Sequence, residues 1–252
     1  MSREDLLARR AAAEAVVAEA ASLALDFFAR RGALGIDAKR PRDFVPEADR
    51  AVERRVRALI AERFPGESVV GEEEGGEAAE RYWIVDPIDG TSNFIAGAPL
   101  WGVSLGYVVA DEPVVGAVRA PVLGEALAGA RGCGLARDGV PLETGARPPS
   151  LGLVSLGDSA DDHLPAMIDL YARLRRGGWF VQSYHCTSVA MLFAALGRLD
   201  GHIQPQTTMW DMAGGVVLCR EAGLTVATRR FETGAYGVWA GTPAVLDVAR
   251  PD

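Results

Sequence analysis

The sequence predicts a mixed α/β protein with an α+β first half and an α/β second half. Two helical stretches near the start of the chain are followed by strand patterns joined by short turns, which indicates an antiparallel sheet. After residue 150, strand and helix patterns alternate, as is typical of an α/β layer. A chain of 252 residues, 49% hydrophobic, can bury the core of one domain or of two tightly joined halves. We expect the halves to span residues 1–145 and 146–252, with a linker at 144–150.

The two helices of the first half follow from apolar periodicity and from residues that begin or end helices. Residues 4–31 are rich in alanine and leucine, which are good helix formers, and Gly32 and Gly35 end this segment. Pro46 suits the first turn of a second helix. Its apolar face consists of residues at helical spacing, namely Val52, Val56, Leu59 and Ile60. Asp49 falls in the first turn of this helix, where the dipole favours a carboxylate whatever its function.

The strands of the first half are marked by β-branched and aromatic runs. Residues 68–70 form a short strand, and residues 82–85 form a buried one that should stop at Asp86, because Pro87 cannot continue the pairing. The remaining patterns are a hairpin of 103–109 and 113–118, a strand at 125–130, and a tight turn at Asp138 and Gly139.

The second half alternates between the two element types. We predict strands at 151–156, 179–182 and 199–204, and helices within 161–176, 187–196 and 211–222. Asp211 stands at the start of the last helix, where its simplest role is that of an N-cap.

Composition and charge restrict the classes of partner and compartment. The net charge of -8 argues against nucleic acid or an anionic membrane, since both require a basic surface. The three cysteines are widely spaced and odd in number, which argues against a disulfide framework or a zinc site. The first residues lack the apolar core of a signal peptide, and no stretch is apolar enough to span a bilayer. We therefore expect a cytoplasmic protein with reduced thiols.

The run that follows the second strand carries the functional prediction. Asp86, the carbonyl of Ile88 and Asp89 offer three hard oxygen donors in a short segment, and such donors select Mg²⁺ or Mn²⁺ over zinc. Gly90 permits close approach of the backbone to a ligand. If Thr91 opens a helix, the free N–H groups there favour a phosphate. Two aspartates at this spacing also occur in ordinary turns, so the spacing alone leaves a turn as the simpler interpretation.

The complete run, D-P-I-D-G-T-x-N-F, resembles a signature of the inositol monophosphatase family of metal-dependent, lithium-sensitive phosphatases. Glu72, in a G-E-E sequence after a strand, resembles the metal-bridging glutamate of that family. Asp211 stands in W-D-x-A-G-x-x-L-x-x-E-A-G, which resembles the second family signature. The resemblance implies a layered αβαβα sandwich as in sugar phosphatases, a homodimer, and two or three Mg²⁺ ions per active site, with Mn²⁺ as a substitute.

The resemblance also implies which residues hold the metal ions. The expected ligands are Glu72, Asp86, the carbonyl of Ile88, Asp89 and Asp211. Asp86 would be shared by two ions, and four carboxylates so close together are intelligible mainly as a cage for cations. Lys39 resembles a lysine near an optional third metal.

By the same resemblance, a water activated by metal attacks the phosphate directly, without a phosphoenzyme. Thr91, with its hydroxyl polarised by Asp49, would orient this water, and Glu72 would help to accept its proton. The main-chain amides of Gly90 and Thr91, together with Ser92, would hold the phosphate.

The substrate side departs from the family pattern. Gln204 stands where inositol phosphatases commonly carry a glutamate, and an amide loses one charge-assisted hydrogen bond to a polyol. His185 and Thr187 lie in a bulkier segment than usual and are candidate substrate contacts, although Thr187 or Ser188 could equally cap a helix. Pro46 replaces the usual threonine, which weakens the expected support for Asp49.

Three functional hypotheses follow. The first is a Mg²⁺-dependent phosphomonoesterase for a small phosphorylated alcohol such as inositol phosphate, histidinol phosphate or a related metabolite. The second is an enzyme for a bisphosphate, either fructose 1,6-bisphosphate or an adenosine 3',5'-bisphosphate. The third, from another class, is a regulatory binding protein that retains the fold.

Overall fold

The computed structural model describes residues 1–30, 46–142, 148–159 and 162–250. The helices are α1 Arg3–Arg30, α2 Pro46–Arg63, α3 Thr91–Ala96, α4 Leu164–Arg176, α5 Thr187–Ala195, α6 Met209–Glu221 and α7 Pro243–Ala249. The strands are β1 Ser68–Gly71, β2 Arg81–Asp89, β3 Gly102–Val109, β4 Glu112–Ala120, β5 Glu125–Ala130, β6 Gly134–Arg137, β7 Val140–Pro141, β8 Leu153–Leu156, β9 Phe180–Gln182, β10 Gly201–Thr207, β11 Thr225–Arg230 and β12 Tyr236–Gly241.

The first sheet has seven strands in the order β1 to β7 and is covered on one face by α1 and α2. β1 pairs parallel to β2, and every later neighbour is antiparallel. The core on this face combines apolar residues of both helices, such as Val16 and Val56, with inward residues of the sheet, such as Trp83 and Leu105. The predicted apolar face of α2 is fully used here, because Val52, Val56, Leu59 and Ile60 are all buried.

The second sheet has five strands in the order β11-β12-β10-β8-β9, and helices separate it from the first. α5 and α6 lie between the sheets, in a core that joins Ile84 and Leu127 of the first sheet to Val238 of the second. α4 and α7 cover the outer face of the second sheet through Leu174 and Leu246. The result is five layers, αβαβα, which confirms the predicted fold class.

Most predicted elements of the first half are confirmed, but one strand end is wrong. β2 continues past Pro87 to Asp89, with a register shift against β3 between Asp86 and Asp89. Proline has no N–H to donate, and the N–H of Ile88 is satisfied by Oδ1 of Asp86 at 3.1 Å instead of by the neighbouring strand. The chain can therefore remain extended through a bulge, and its acidic residues stay buried.

In the second half, the predicted helix caps are wrong. The N-cap of α6 is Thr208, which accepts from the N–H of Asp211, while the Asp211 carboxylate accepts from the N–H of Thr208. Asp211 is thus the fourth residue of a capping box. α5 begins at Thr187 with Cys186 as its N-cap, so neither Thr187 nor Ser188 has that role.

Some expectations fall outside the described residues. Lys39, Gly32 and Gly35 do, as does most of the linker at 144–150. The strands of the first sheet all precede residue 142 and those of the second all follow residue 152, but the division into two domains stays a prediction. None of the described helices is long and apolar enough to cross a membrane.

Candidate active site

Four carboxyl groups from three separate parts of the chain meet at one edge of the first sheet. β1 and β2 run parallel, with Gly71 opposite Val85, so Glu72 and Asp86 follow these residues at the same end of neighbouring strands. Asp89 ends β2, and Asp211 approaches from the first turn of α6. Asp86 and Asp89 are only 2% and 8% exposed.

Burial and mutual repulsion disfavour charge on these groups. Burial, followed by the neighbouring charges of Asp211 and Asp89, raises the pKa of Glu72 to about 8. Burial and then Asp211 raise the pKa of Asp89 to about 6. Burial, with Glu72 as the largest of the charge effects, raises the pKa of Asp86 well above its usual range. Burial also raises the pKa of Asp211, although hydrogen bonds from Thr207 and Thr208 oppose the change.

The cluster lacks a compensating cation among the residues that the structure describes, where no ion pair involves any of its four members. Hard, anionic oxygen donors in such a setting fit Mg²⁺ or a similar divalent ion. Across the described ranges, however, no three acidic, thiol or imidazole side chains stand in a ready-made metal-binding arrangement. A metal would therefore require some of these side chains to turn.

Hydrogen bonds explain why the carboxylates do not already surround one point. Oδ2 of Asp89 accepts from the N–H of Ser188 at 2.5 Å and lies 3.3 Å from Sγ of Cys186. Oδ2 of Asp211 accepts from the hydroxyl of Thr207 at 2.8 Å. These contacts hold one oxygen of each of these two carboxylates.

The loop that carries Glu72 is hydrogen-bonded to Glu53 of α2, a residue that the sequence analysis missed. Glu53 is fully buried and accepts from the N–H groups of Glu73 at 2.8 Å and Glu74 at 3.2 Å, and from Nη2 of Arg57 at 2.7 Å. A Cβ at Gly71 would lie 2.2 Å from this carboxylate, so a larger residue there would displace the Glu53 side chain. The available signal was a charged residue on the apolar face of α2, since Glu53 lies three residues before Val56.

Asp49 is buried near this loop. Burial and then the charges of Glu73 and Glu72 raise its pKa to about 8. The hydroxyl of Thr91, which was expected to face Asp49, donates to the carbonyl of Ile88 at 3.0 Å. Its single proton is used in that contact, so an Asp49 to Thr91 relay requires the hydroxyl to rotate.

Thr91 opens α3, so the condition set for phosphate binding by its N–H groups is met, and Gly90 before it has a special backbone conformation. Gly90 has φ of 86°, in the left-handed region that favours glycine. A Cβ there would also lie 2.8 Å from the carbonyl oxygen of Leu100. Ser92 lines the adjoining cavity.

A polar cavity of about 240 Å³ adjoins the acidic cluster and contains all three candidate substrate contacts. Its lining includes Asp89, Asp211, His185, Thr187, Gln204 and His202. The hydroxyl of Thr187 donates to Oε1 of Gln204 at 2.6 Å, and Nε2 of Gln204 donates to the carbonyl of Gln206 at 3.2 Å. His185 lies at the exposed rim, with Nδ1 3.1 Å from Oδ1 of Asp158.

The sequence analysis also missed His202, Ser155 and Cys186 in this lining. Alternation along β10 was the available signal for His202, because residues two apart on a strand share a face and Gln204 was already singled out. Cys186 lies in the bulkier segment between His185 and Thr187, which was its signal. Ser155 carried no comparable signal, since serine is an ordinary residue in a buried strand.

In architecture the chain is one of the layered αβαβα proteins. The crystal structure of the extragenic suppressor protein suhB from Bartonella henselae matches it with a TM-score of 0.81, covering 98% of this chain and 97% of that one. The sequence identity of 23% makes this a likeness of fold alone. The family model described as "Inositol monophosphatase family" matches residues 5–247, and the chain belongs to that family.

Two relatives are similar over most of their length. The histidinol-phosphatase of Mycobacterium tuberculosis is 34% identical over 216 residues, which is 81% of either protein. The fructose-1,6-bisphosphatase/inositol-1-monophosphatase of Aquifex aeolicus is 30% identical over 218 residues, covering 84% of this chain and 82% of the relative. Family and relatives together support phosphatase activity and leave the substrate open.

Proposed function

We propose that this chain is a Mg²⁺-dependent phosphomonoesterase that hydrolyses a small phosphorylated alcohol. The observation that carries the proposal is the set of buried carboxyl groups whose pKa values burial and mutual repulsion raise beside a polar cavity. Such a site is stable with charged carboxylates only when a cation binds. Bound divalent ions would supply a polarised water and would neutralise charge on the phosphoryl oxygens.

The residues have distinct roles in this proposal. Glu72, Asp86, Asp89, Asp211 and the carbonyl of Ile88 hold the ions. The carbonyl oxygen has two lone pairs, so it can hold an ion while it accepts from the Thr91 hydroxyl. If that hydroxyl turned toward Asp49, it would orient the attacking water. Asp49 is suited to holding a proton near neutral pH, because burial and the charges of Glu73 and Glu72 raise its pKa to about 8.

The phosphate is held, in this proposal, where the backbone enters α3. The left-handed conformation of Gly90 suits exposure of the N–H groups that follow it, and Ser92 lines the adjoining cavity. The alcohol portion extends toward Thr187, Gln204 and His185. By the family resemblance alone, the proposal also assigns Lys39 to a third metal.

The test is phosphate release from a panel of phosphorylated alcohols with Mg²⁺, with EDTA, and with Mg²⁺ plus Li⁺. Asp86→Asn should reduce turnover below detection while the thermal unfolding midpoint stays measurable, because Asp86 is the shared ligand. Glu62→Gln, at an exposed position on α2, is the matched control. Full activity in Asp86→Asn would refute the proposal.

A bisphosphate substrate is the second candidate, favoured by the name of the Aquifex aeolicus relative. Fructose 1,6-bisphosphate therefore belongs in the panel. A homodimer and a cytoplasmic location also belong to the proposal, and light scattering after gel filtration would measure the oligomeric state.

A further inference from the structure

Two buried side chains in the wall of the cavity have hydrogen-bonding atoms without partners. His202 is 1% exposed and Ser155 is fully buried. Within the described residues, neither ring nitrogen of His202 nor the hydroxyl oxygen of Ser155 makes a hydrogen bond of ordinary geometry, although the Gln204 side chain lies close enough to His202 to affect its pKa. Because burying a polar group without a hydrogen bond costs about 1–3 kcal/mol, such atoms at a cavity indicate a ligand.

Strand pairing brings these two residues together. β10 and β8 run parallel, with His202 directly opposite Ser155, so both side chains lie on the same face. Gln204, two residues farther along β10, shares that face. The intervening residue Ile203 and its partner Leu156 on β8 instead pack into the apolar core against α4 and α7. Polar residues are thus confined to the face that lines the cavity.

The ring of His202 is neutral at physiological pH. Burial lowers its pKa to about 4, and the nearby Gln204 amide opposes this change only in part. A neutral imidazole has one N–H donor and one acceptor nitrogen. The hydroxyl of Ser155 likewise both donates and accepts. Together they match a ligand group that can both donate and accept a hydrogen bond. A hydroxyl is such a group.

Two neighbouring polar residues of the wall are already engaged with protein groups. Thr187 donates to Gln204, and Gln204 donates to the carbonyl of Gln206. Of these four residues, His202 and Ser155 therefore retain the most hydrogen-bonding capacity for a ligand.

We propose that His202 and Ser155 bind hydroxyl groups on the alcohol portion of the substrate and thereby select polyhydroxylated alcohols. This inference rests on the proposed phosphatase function. It assigns specificity to two residues that lie beyond the acidic cluster. A phosphorylated alcohol without further hydroxyls would leave these atoms unpaired.

Steady-state kinetics on two substrates test the proposal. We compare myo-inositol 1-phosphate, whose leaving group carries several hydroxyls, with p-nitrophenyl phosphate, whose leaving group has none that could reach the wall. In Ser155→Ala and His202→Phe, kcat/KM for the inositol ester should fall roughly 10-fold or more, while that for the nitrophenyl ester changes less than about twofold. His202→Gln retains a donor and an acceptor and should recover part of the loss.

His163→Gln is the matched control, because His163 is exposed and lies outside the cavity lining. Equal losses on both substrates, or no loss on either, would overturn the inference. If His202→Phe fails to fold, Ser155→Ala decides the matter, since it removes a single oxygen atom.

If the wild type releases phosphate from neither ester, the proposed function fails, and binding decides the inference separately. In that case, saturation-transfer NMR measures the binding of free myo-inositol and free glycerol in place of kinetics. The same measurement is used if the wild type cleaves only the nitrophenyl ester. Binding to the wild type that weakens about 10-fold in Ser155→Ala supports the inference. No binding of either polyol overturns it.

Discussion

Glu72 and Asp89 link the charge state of the acidic cluster to the stability of the whole chain. Their ordinary pKa values of 4.5 and 3.8 rise to about 8 and about 6 in the folded protein, chiefly through burial. At a pH between the ordinary and the folded pKa value of each group, the folded state therefore holds a proton that the unfolded state releases. Stability conferred by such protons is lost as the pH rises through the folded pKa values.

The first prediction concerns pH and metal. In EDTA, the thermal unfolding midpoint should decrease as the pH is raised from about 5 to about 8. Mg²⁺ should increase this midpoint more at pH 8 than at pH 6, because only charged carboxylates bind the ion strongly. Scanning fluorimetry at several pH values measures both effects. In Asp86→Asn the Mg²⁺ effect should shrink. A midpoint in EDTA that is constant or increases with pH would contradict this account.

Gln204 offers a second residue-scale prediction. Gln204→Glu would place a carboxylate beside the hydroxyl of Thr187, which can still donate to it, but the loss of the amide N–H breaks the contact with the Gln206 carbonyl. We expect a preference shifted toward inositol phosphate in competition assays, since a charged acceptor strengthens hydrogen bonds to polyols. An unchanged preference would remove Gln204 from the substrate contacts.

At the scale of elements, α2 contributes to the site mainly by holding a loop. The buried Glu53 carboxylate uses one oxygen for the N–H of Glu73 and the other for Glu74 and Arg57. An amide in its place would present N–H groups to at least one of these donors. The geometry of the Glu72 loop therefore depends on a residue that need not contact any metal.

Glu53→Gln should accordingly destabilise the fold by about 1–3 kcal/mol, because a buried donor loses its acceptor. The Mg²⁺ concentration for half-maximal thermal stabilisation should also increase, since Glu72 is held less firmly. Chemical denaturation and a Mg²⁺ titration measure the two effects. Glu62→Gln on the exposed side of α2 should change neither, and an equal response of the two variants would argue against the proposed role of Glu53.

Which elements were predictable depends on where their information lies. α2 and β5 follow from local periodicity and turn residues, and their predictions are confirmed. The extension of β2 through Pro87 depends on a side-chain acceptor for the Ile88 N–H, which no local pattern indicates. The sequence predictions end at residue 223, so β11, β12 and α7 are known from the structure alone.

At the scale of the whole molecule, the proximity of Glu72, Asp86 and Asp211 could be predicted only from the family resemblance, since local sequence patterns do not show how α6 packs on the first sheet. The structure explains this packing by a close backbone contact between β4 and α6. A Cβ on Gly116 would lie 2.3 Å from the carbonyl oxygen of Gly214. This contact sets how near the helix that carries Asp211 approaches the sheet that carries Asp86.

Gly116→Ala should therefore force β4 and α6 apart. The expected cost is about 1–3 kcal/mol or more, since a backbone atom cannot turn aside as a side chain can. Phosphatase activity should fall further than stability explains, because Asp211 moves away from Asp86. Gly129, the cross-strand partner of Gly116 on β5, provides the control: an added Cβ there meets only side chains, the nearest being Leu135 at 3.0 Å. If Gly129→Ala and Gly116→Ala lose stability and activity equally, the approach of α6 is not what positions Asp211.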